Sequence, residues 1–500
     1  MPTTLGHALR FALFGVLAGC ASAPTRVPAP LAVERLARIG GPGVDFAHAL
    51  AVSPDGGIVV GIETAGSPGF DGRAVQAISA SAEEMAVLAA YDRRGHLTWA
   101  EGLGGPGAHP AVRAVASGTD GSIFGAGWFS GRFGLLAPNG GPSVESDGGS
   151  DAFVAALGAD GHLRWLRRFG GKYADTARAL LPAPEGGVYV AGSFRLNARF
   201  GEQEDGSARV LVSHGGSDAF LLRLGADGQV RWAISVGGAE DDETLALAAA
   251  PDGGGYLLAS YRGRLALDIA GSRREFVARG ANDALLLRFS ADGRVIAACS
   301  IGSEAPDDFI TLAADAEGIA VGGYFSGSRE LTIGERALHL ASRGASDALL
   351  LRLDANLALR DHVQISGTGA TTLERLAYGQ DGRLWAAGSF NGRLPLGHRE
   401  LVAEGGDAWF AVFDRGLDVD DALAFSGRGT QQVLAIAPDT RGGAFVAGAF
   451  SKELAVRGQP TAPIARGRSD AFVAHVIADA ALAARQPKRA PAAEVESDDD

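Results

Sequence analysis

Short apolar runs dominate this chain, each closed off by glycine, aspartate or serine, and two kinds recur. Val188-Tyr189-Val190 and Ala219-Phe220-Leu221-Leu222 are continuous apolar stretches between turn residues, the pattern of a strand buried on both faces. Gln229-Val230-Arg231-Trp232-Ala233 alternates polar and apolar, as a half-exposed outer strand should. Together they predict four strands at about 177–183, 188–194, 218–224 and 229–236. The variable segment between the second and third, 195–217, is expected to be a long loop or a small hairpin. No amphipathic helical pattern follows the N-terminal segment.

The four-strand stretch repeats. One phrase runs Ser-Asp-Ala-aromatic (or leucine), an apolar run, a turn, an alternating strand and Gly-Gly. It is clearest from Asp151 to Gly170-Gly171 and from Asp218 to Gly237-Gly238, with further copies at Asp283, Asp347, Asp407 and Asp470 and a degenerate one at Met85-Ala86-Val87. A second phrase, strand, glycine turn, strand, lies between these, with turn glycines Gly56, Gly121, Gly186, Gly253, Gly318, Gly382 and Gly442. The steps are roughly 60 to 67 residues, one supersecondary unit each. The expected fold is therefore all-β: a seven-bladed β-propeller of four-stranded antiparallel blades, since radial closure protects sheet edges. Val33 to Gly41 aligns with the outer strand Leu163 to Gly171 yet precedes the first full unit. It is expected to complete the last blade beside 470–477 and so close the ring. The expected organisation is a signal peptide over 1–19, a tether over 20–32, the propeller over 33–485 and a disordered acidic tail over 486–500.

Gly-Gly-Ser-Asp-Ala-Phe (215–220), Ala-Asp-Gly (226–228) and Trp232 with Gly237-Gly238 resemble the bacterial β-propeller repeats called SBBP. The resemblance covers about 33–480. It implies a secreted or surface-associated protein and no particular activity. Three copies depart from the turn, reading Ala355-Asn356-Leu357, Arg415-Gly416-Leu417 and Ala478-Asp479-Ala480, which questions the regularity of units five to seven.

The N-terminus carries an address. Phe11 to Leu17 is apolar but too short to span a bilayer, and Leu17-Ala18-Gly19-Cys20 resembles the bacterial lipobox. That resemblance implies cleavage before Cys20 and acylation on it, giving a membrane partner through a lipid anchor. Ala21, where the sorting rule places aspartate for inner-membrane retention, directs the expectation to the outer membrane. Cys299, with Ala297, Ala298 and Ile301 around it, reads as a buried strand residue. The formal net charge of −13 argues against nucleic acid as a partner.

Few residues suggest chemistry. The aspartate before Ala-Phe, repeated in every clear copy, reads as a turn residue fixing strand entry. Asp45, Asp175, Asp242 and Asp307 follow the Gly-Gly pairs at one shared position, in connections expected to emerge on one face near the axis. A partial ring of carboxylates there would attract a cation or a basic partner; capping of tight turns is the alternative. The tryptophans fall in repeat slots and read as packing between blades. No metal-binding histidine spacing, nucleophile elbow, phosphate loop or paired cysteine motif occurs. No catalytic residue, metal or cofactor is assigned, and the reading is a non-enzymatic binding or scaffold protein whose loops meet a protein or glycan. The alternatives are a quinoprotein-like propeller enzyme and an accessory lipoprotein of outer-membrane protein assembly.

Overall fold

A computed structural model describes residues 29–66, 68–70, 73–74, 84–136, 141–202, 206–306 and 308–479. The expected signal peptide, Cys20, Asp307 and the acidic tail lie outside the described residues. Within them the chain is all-β and antiparallel, without helix, and propeller-like.

Each repeat folds as a four-strand meander. In the third unit, Thr176–Pro182, Val188–Glu202, Ala208–Leu224 and Val230–Val236 pair in that order. The innermost strands of the other units are Asp45–Val52, Ala111–Ser117, Glu243–Ala249, Asp308–Ala314, Arg375–Tyr378 and Gln431–Pro438. The irregular turns at 355–357 and 415–417 do not disturb the pairing across them, and the repeat continues through Asp470–Ala478. Among the described residues no later strand follows it, and Leu31–Gly40 pairs with it antiparallel, with Ala37 opposite Val473 and Ile39 opposite Ala471. The strand begins two residues earlier than expected, and Leu31, Ala32 and Val33 are buried.

Successive inner strands lie side by side, and the seventh lies against the first. Among the described residues seven apolar clusters fill the spaces between neighbouring units, one per interface. The cluster between the seventh and first units holds Ile39, Val60, Met85, Phe445 and Val473. Adjacent residues of a strand serve different clusters: Leu257 packs toward the third unit and Leu258 toward the fifth. Both faces of each sheet are therefore buried, which is why the second and third strands read as unbroken apolar runs.

The segment between second and third strands is a hairpin that straps the preceding unit. In the third unit it continues both strands, and Arg199 and Ala198 pair with Gly170 and Gly171. Comparable contacts tie Phe70 to Ile39, Leu135 to Leu103, Leu265 to Gly238, Ile333 to Ile301, Arg393 to Thr368 and Val456 to Phe425. This explains the Gly-Gly phrase. A Cβ on Gly237 would lie 2.4 Å from the carboxyl carbon of Asp218, and one on Gly171 would lie 2.3 Å from the Asn197 carbonyl oxygen of the strap. The first glycine makes room for the repeated aspartate and the second for the hairpin. The aspartates are fully buried and accept turn amides: Asp218 from the N–H of His214 (3.1 Å), Asp470 from that of Arg466 (3.1 Å).

The outer-strand tryptophans bridge units. The indole N–H groups of Trp99, Trp165 and Trp232 donate to the carbonyls of Ala159, Ala226 and Ala291 in the next unit's turn, at 2.9–3.0 Å. Each ring lies on that turn's glycine, so a Cβ on Gly293 would meet Trp232 at 2.7 Å. The fourth unit has Ala297 in the tryptophan slot, and the facing turn carries Leu357 at φ 65°, buried in the same interface. Leu417 repeats this at φ 65° opposite the Asp361 slot. Strained, buried leucines replace the Trp–Gly contact, so the departing turns are a second packing solution.

Candidate functional site

The innermost strands surround a cavity of about 1100 Å³, and all seven contribute to its wall. Six of them break register at one position: His48, Arg113, Arg178, Leu245, Ile310 and Leu434 each sit in a β-bulge. In the sixth unit Glu374 holds the place, its N–H donating to the Ala387 carbonyl opposite Arg375. A bulge turns a side chain that would alternate into a sheet face toward the sheet's edge, and here that edge is the axis. All seven line the cavity. Below them lies a tier of small residues, Ala49, Ala114, Ala179, Ala246, Thr311 and Ala435, broken by Arg375. Then follows an apolar tier that includes Leu50, Leu180, Leu247 and Ile436.

The collar divides into a polar and an apolar arc. On the polar side the His48 Nε2 lies 3.1 Å from Glu63, and Arg113 lies 3.6 Å from the same carboxylate and 3.0 Å from the imidazole. Burial, aided by Arg113 and Arg375, holds His48 below the ordinary histidine value. Burial favours the protonated form of Glu63, but His48 and Arg113 together hold that carboxyl below its ordinary value. Arg178 pairs with Glu243 at 3.2 Å, and Arg195 with Asp241 at 3.3 Å. Arg375 differs. Its Nε–H donates to the Leu434 carbonyl and its Nη1–H to that of Glu374, and no carboxylate among the described residues comes within ion-pair distance. The Glu374 carboxylate instead accepts the hydroxyls of Thr372 (2.8 Å) and Ser389 (2.7 Å).

Of the aspartates expected to form a carboxylate ring, three are described, and they lie in the expected connections after the Gly-Gly pairs. Asp45, Asp175 and Asp242 are at most 1% exposed. Asp175 accepts the N–H of Gly171 (2.8 Å) and of Arg195 (3.0 Å); Asp242 accepts those of Gly238 (2.6 Å) and Arg262 (3.0 Å). Asp45 accepts the N–H of Gly41 and the hydroxyl of Thr64. This is turn capping, and these three carboxylates offer solvent no charged face. The structure brings each beside a repeated aspartate: Asp175 faces Asp151 across Gly170. Among the described residues no histidine, cysteine or carboxylate group is arranged to hold a metal. Cys299 is buried in its strand, and burial pushes its thiol up to about 11.

His475 forms one more polar cluster. Its Nδ1 and Nε2 each lie 2.8 Å from a carboxylate, Glu34 on the closing strand and Asp439 on the last unit's first turn, and its ring stacks on Phe445. These contacts tie the N-terminal strand to its neighbours.

Fold and cavity define an all-β, propeller-like repeat protein with an axial channel. No family model matches the chain. A curated protein named Regulatory protein FlaEY, from Caulobacter vibrioides, is 26% identical over 390 residues, which cover 73% of this chain and 39% of that protein. The chain thus spans about two fifths of the length of the relative it matches. Among solved structures, Sqt1 from Chaetomium thermophilum is 11% identical with TM-score 0.38, covering 87% of this chain and 97% of its own. A glucose dehydrogenase is 11% identical with TM-score 0.35 over 72% of this chain and 95% of its own. A DUF4221 protein from Bacteroides vulgatus is 8% identical with TM-score 0.31 over 90% and 99%. These likenesses assign no activity.

Proposed function

We propose that this protein is a non-catalytic binding or scaffold protein of the bacterial envelope: a seven-bladed propeller, anchored in the outer membrane through lipid on Cys20, that meets a protein partner with its insertion hairpins. The observation that carries this reading is the position of the exposed apolar side chains. Among the described residues eight large apolar side chains are exposed, and the six most exposed, Leu196, Val210, Val212, Val277, Val402 and Ile464 at 44–59%, lie on the hairpins between second and third strands; Tyr173 and Ile296 lie elsewhere. Scattered single apolar residues need no explanation, but concentration of the most exposed ones at one structural position does. Leu196, Val210 and Val212 share a hairpin, with Val212 opposite Asn197 and Val210 opposite Arg199. The hairpin stems are fixed by the straps, so their exposed edges form rigid recognition elements.

A photoreactive residue at Val212, introduced in living cells, tests the reading. The expected result is one dominant crosslinked protein, reduced at least fivefold when Val210→Glu is added, with the chain in the membrane fraction and released from it by Cys20→Ser. A folded, membrane-bound protein that captures nothing at Val212 contradicts the docking role; membrane retention of the Cys20→Ser variant contradicts the anchor.

A further inference from the structure

The small-residue tier of the channel keeps alanine in five units and threonine in a sixth, because inner strands crowd together near the axis. Arg375 alone breaks it, as a long cation where its counterparts carry a methyl or a hydroxyl. A guanidinium has five N–H donors. Two of Arg375's are held by neutral carbonyls, those of Leu434 and Glu374. The remaining edge faces a cavity it helps to line, with no carboxylate paired to it among the described residues. Burial opposes its charge, the Glu374 carboxylate, beyond ion-pair distance, favours it, and Arg178 of the third unit opposes it, so the charge stands in a shared field rather than a private ion pair. On either side of Arg375 the wall turns apolar: Ile310 in the fifth unit, Leu434 in the seventh, and Leu376 and Ile436 one tier below.

We propose that the axial channel binds an organic anion, an oxyanion head group on an apolar body, with Arg375 gripping the head and the arc of Ile310, Leu434 and Ile436 covering the body. A planar guanidinium edge matches two oxygens of a carboxylate or phosphate, and an apolar wall with a few convergent polar groups is the usual form of a small-molecule site. The proposal goes beyond hairpin docking and is independent of it, since hairpin variants leave the channel intact.

Isothermal titration of the full chain with decanoate, decyl phosphate and decyltrimethylammonium, each below its micelle concentration, tests it. The expected result is one site per chain for at least one anion and none for the cation; whichever anion binds tighter identifies the head group. Arg375→Ala, which restores the residue of five other units, should weaken anion binding at least tenfold while the melting temperature stays within a few degrees. Should that variant fail to fold, Arg375→Gln replaces it, with the same loss expected. Absence of anion binding to the wild type, equal binding of the cation, or unchanged affinity in the folded arginine variant overturns the proposal. The last result, with altered stability, would make Arg375 a strut between the sixth and seventh units.

Discussion

Two buried carboxylates meet at several of the junctions between units, and their chemistry differs from that of surface aspartates. Burial pushes Asp175 and Asp242 up to about 6, against the amides that favour their ionised forms, and the neighbouring Asp151 and Asp218 add to the effect. A folded value above the unfolded 3.8 means that the native state holds protons the unfolded chain has released. The stability this contributes is complete below about pH 4 and is lost as pH rises through about 6. Each group accounts for roughly 2–3 kcal/mol across that window at about 1.4 kcal/mol per pH unit. Asp347, held low by Ser366 and Gln364 although burial opposes them, acts in the other direction and below pH 4. Melting temperature should therefore fall between pH 4.5 and pH 7 in the wild type. The fall should be markedly smaller in Asp175→Asn/Asp242→Asn, even though that variant is less stable at every pH. An unchanged slope would show that these groups do not carry the protons. The shared position of the aspartates was legible in the sequence. Their burial was not, because it depends on a strap from the next repeat and on glycines that admit the carboxyl.

At the scale of strands and turns, the repeat phrase divides into contacts made within a unit and contacts made between units. The strands, the Asp-capped entry and the N-terminal strand were readable from periodicity, because both faces of each sheet are buried and the outer strand alternates. The Trp–turn contact was not, since it joins the outer strand of one unit to the turn of the next. Seen in the structure, the tryptophans and the Ala-Asp-Gly turns are one feature, and their loss in later units is coupled through Leu357 and Leu417. Trp232→Ala should therefore cost about 3 kcal/mol by leaving a cavity. Gly293→Leu alone should also destabilise, because its Cβ meets the indole. The double variant reproduces the Ala297–Leu357 pair and should be more stable than the sum of the two by at least about 1 kcal/mol, measured by urea unfolding. Additive losses would mean that the leucine turns are unrelated to the missing tryptophans. The bulges were equally hidden: a single extra residue reverses the alternation and brings His48 and Arg113 to the axis.

For the whole molecule, everything proposed about the channel depends on the inner strands enclosing it, and the enclosure depends on the first strand reaching the last. That strand is held along its length. The Leu31 N–H donates to Asp421 (2.5 Å), that of Val33 to the Arg457 carbonyl (2.9 Å), and Glu34 meets His475. The seventh apolar interface draws on residues from both ends of the chain, as Ile39 and Val473 illustrate. Such closure couples the ends of a repeat array that would otherwise fray from its termini. Disulfide trapping across this seam is the most direct measurement. Ala37 and Val473 stand opposite each other, and opposed Cα atoms in an antiparallel pair, about 4.5–5.5 Å apart, fall in the range a disulfide spans. In a Cys299→Ser background, Ala37→Cys with Val473→Cys should oxidise nearly completely in the native protein and raise its resistance to urea, while the out-of-register pair Ala37→Cys with Val476→Cys should stay reduced. Free thiols in the first pair, or equal oxidation of both, would contradict a ring closed by its N-terminal strand.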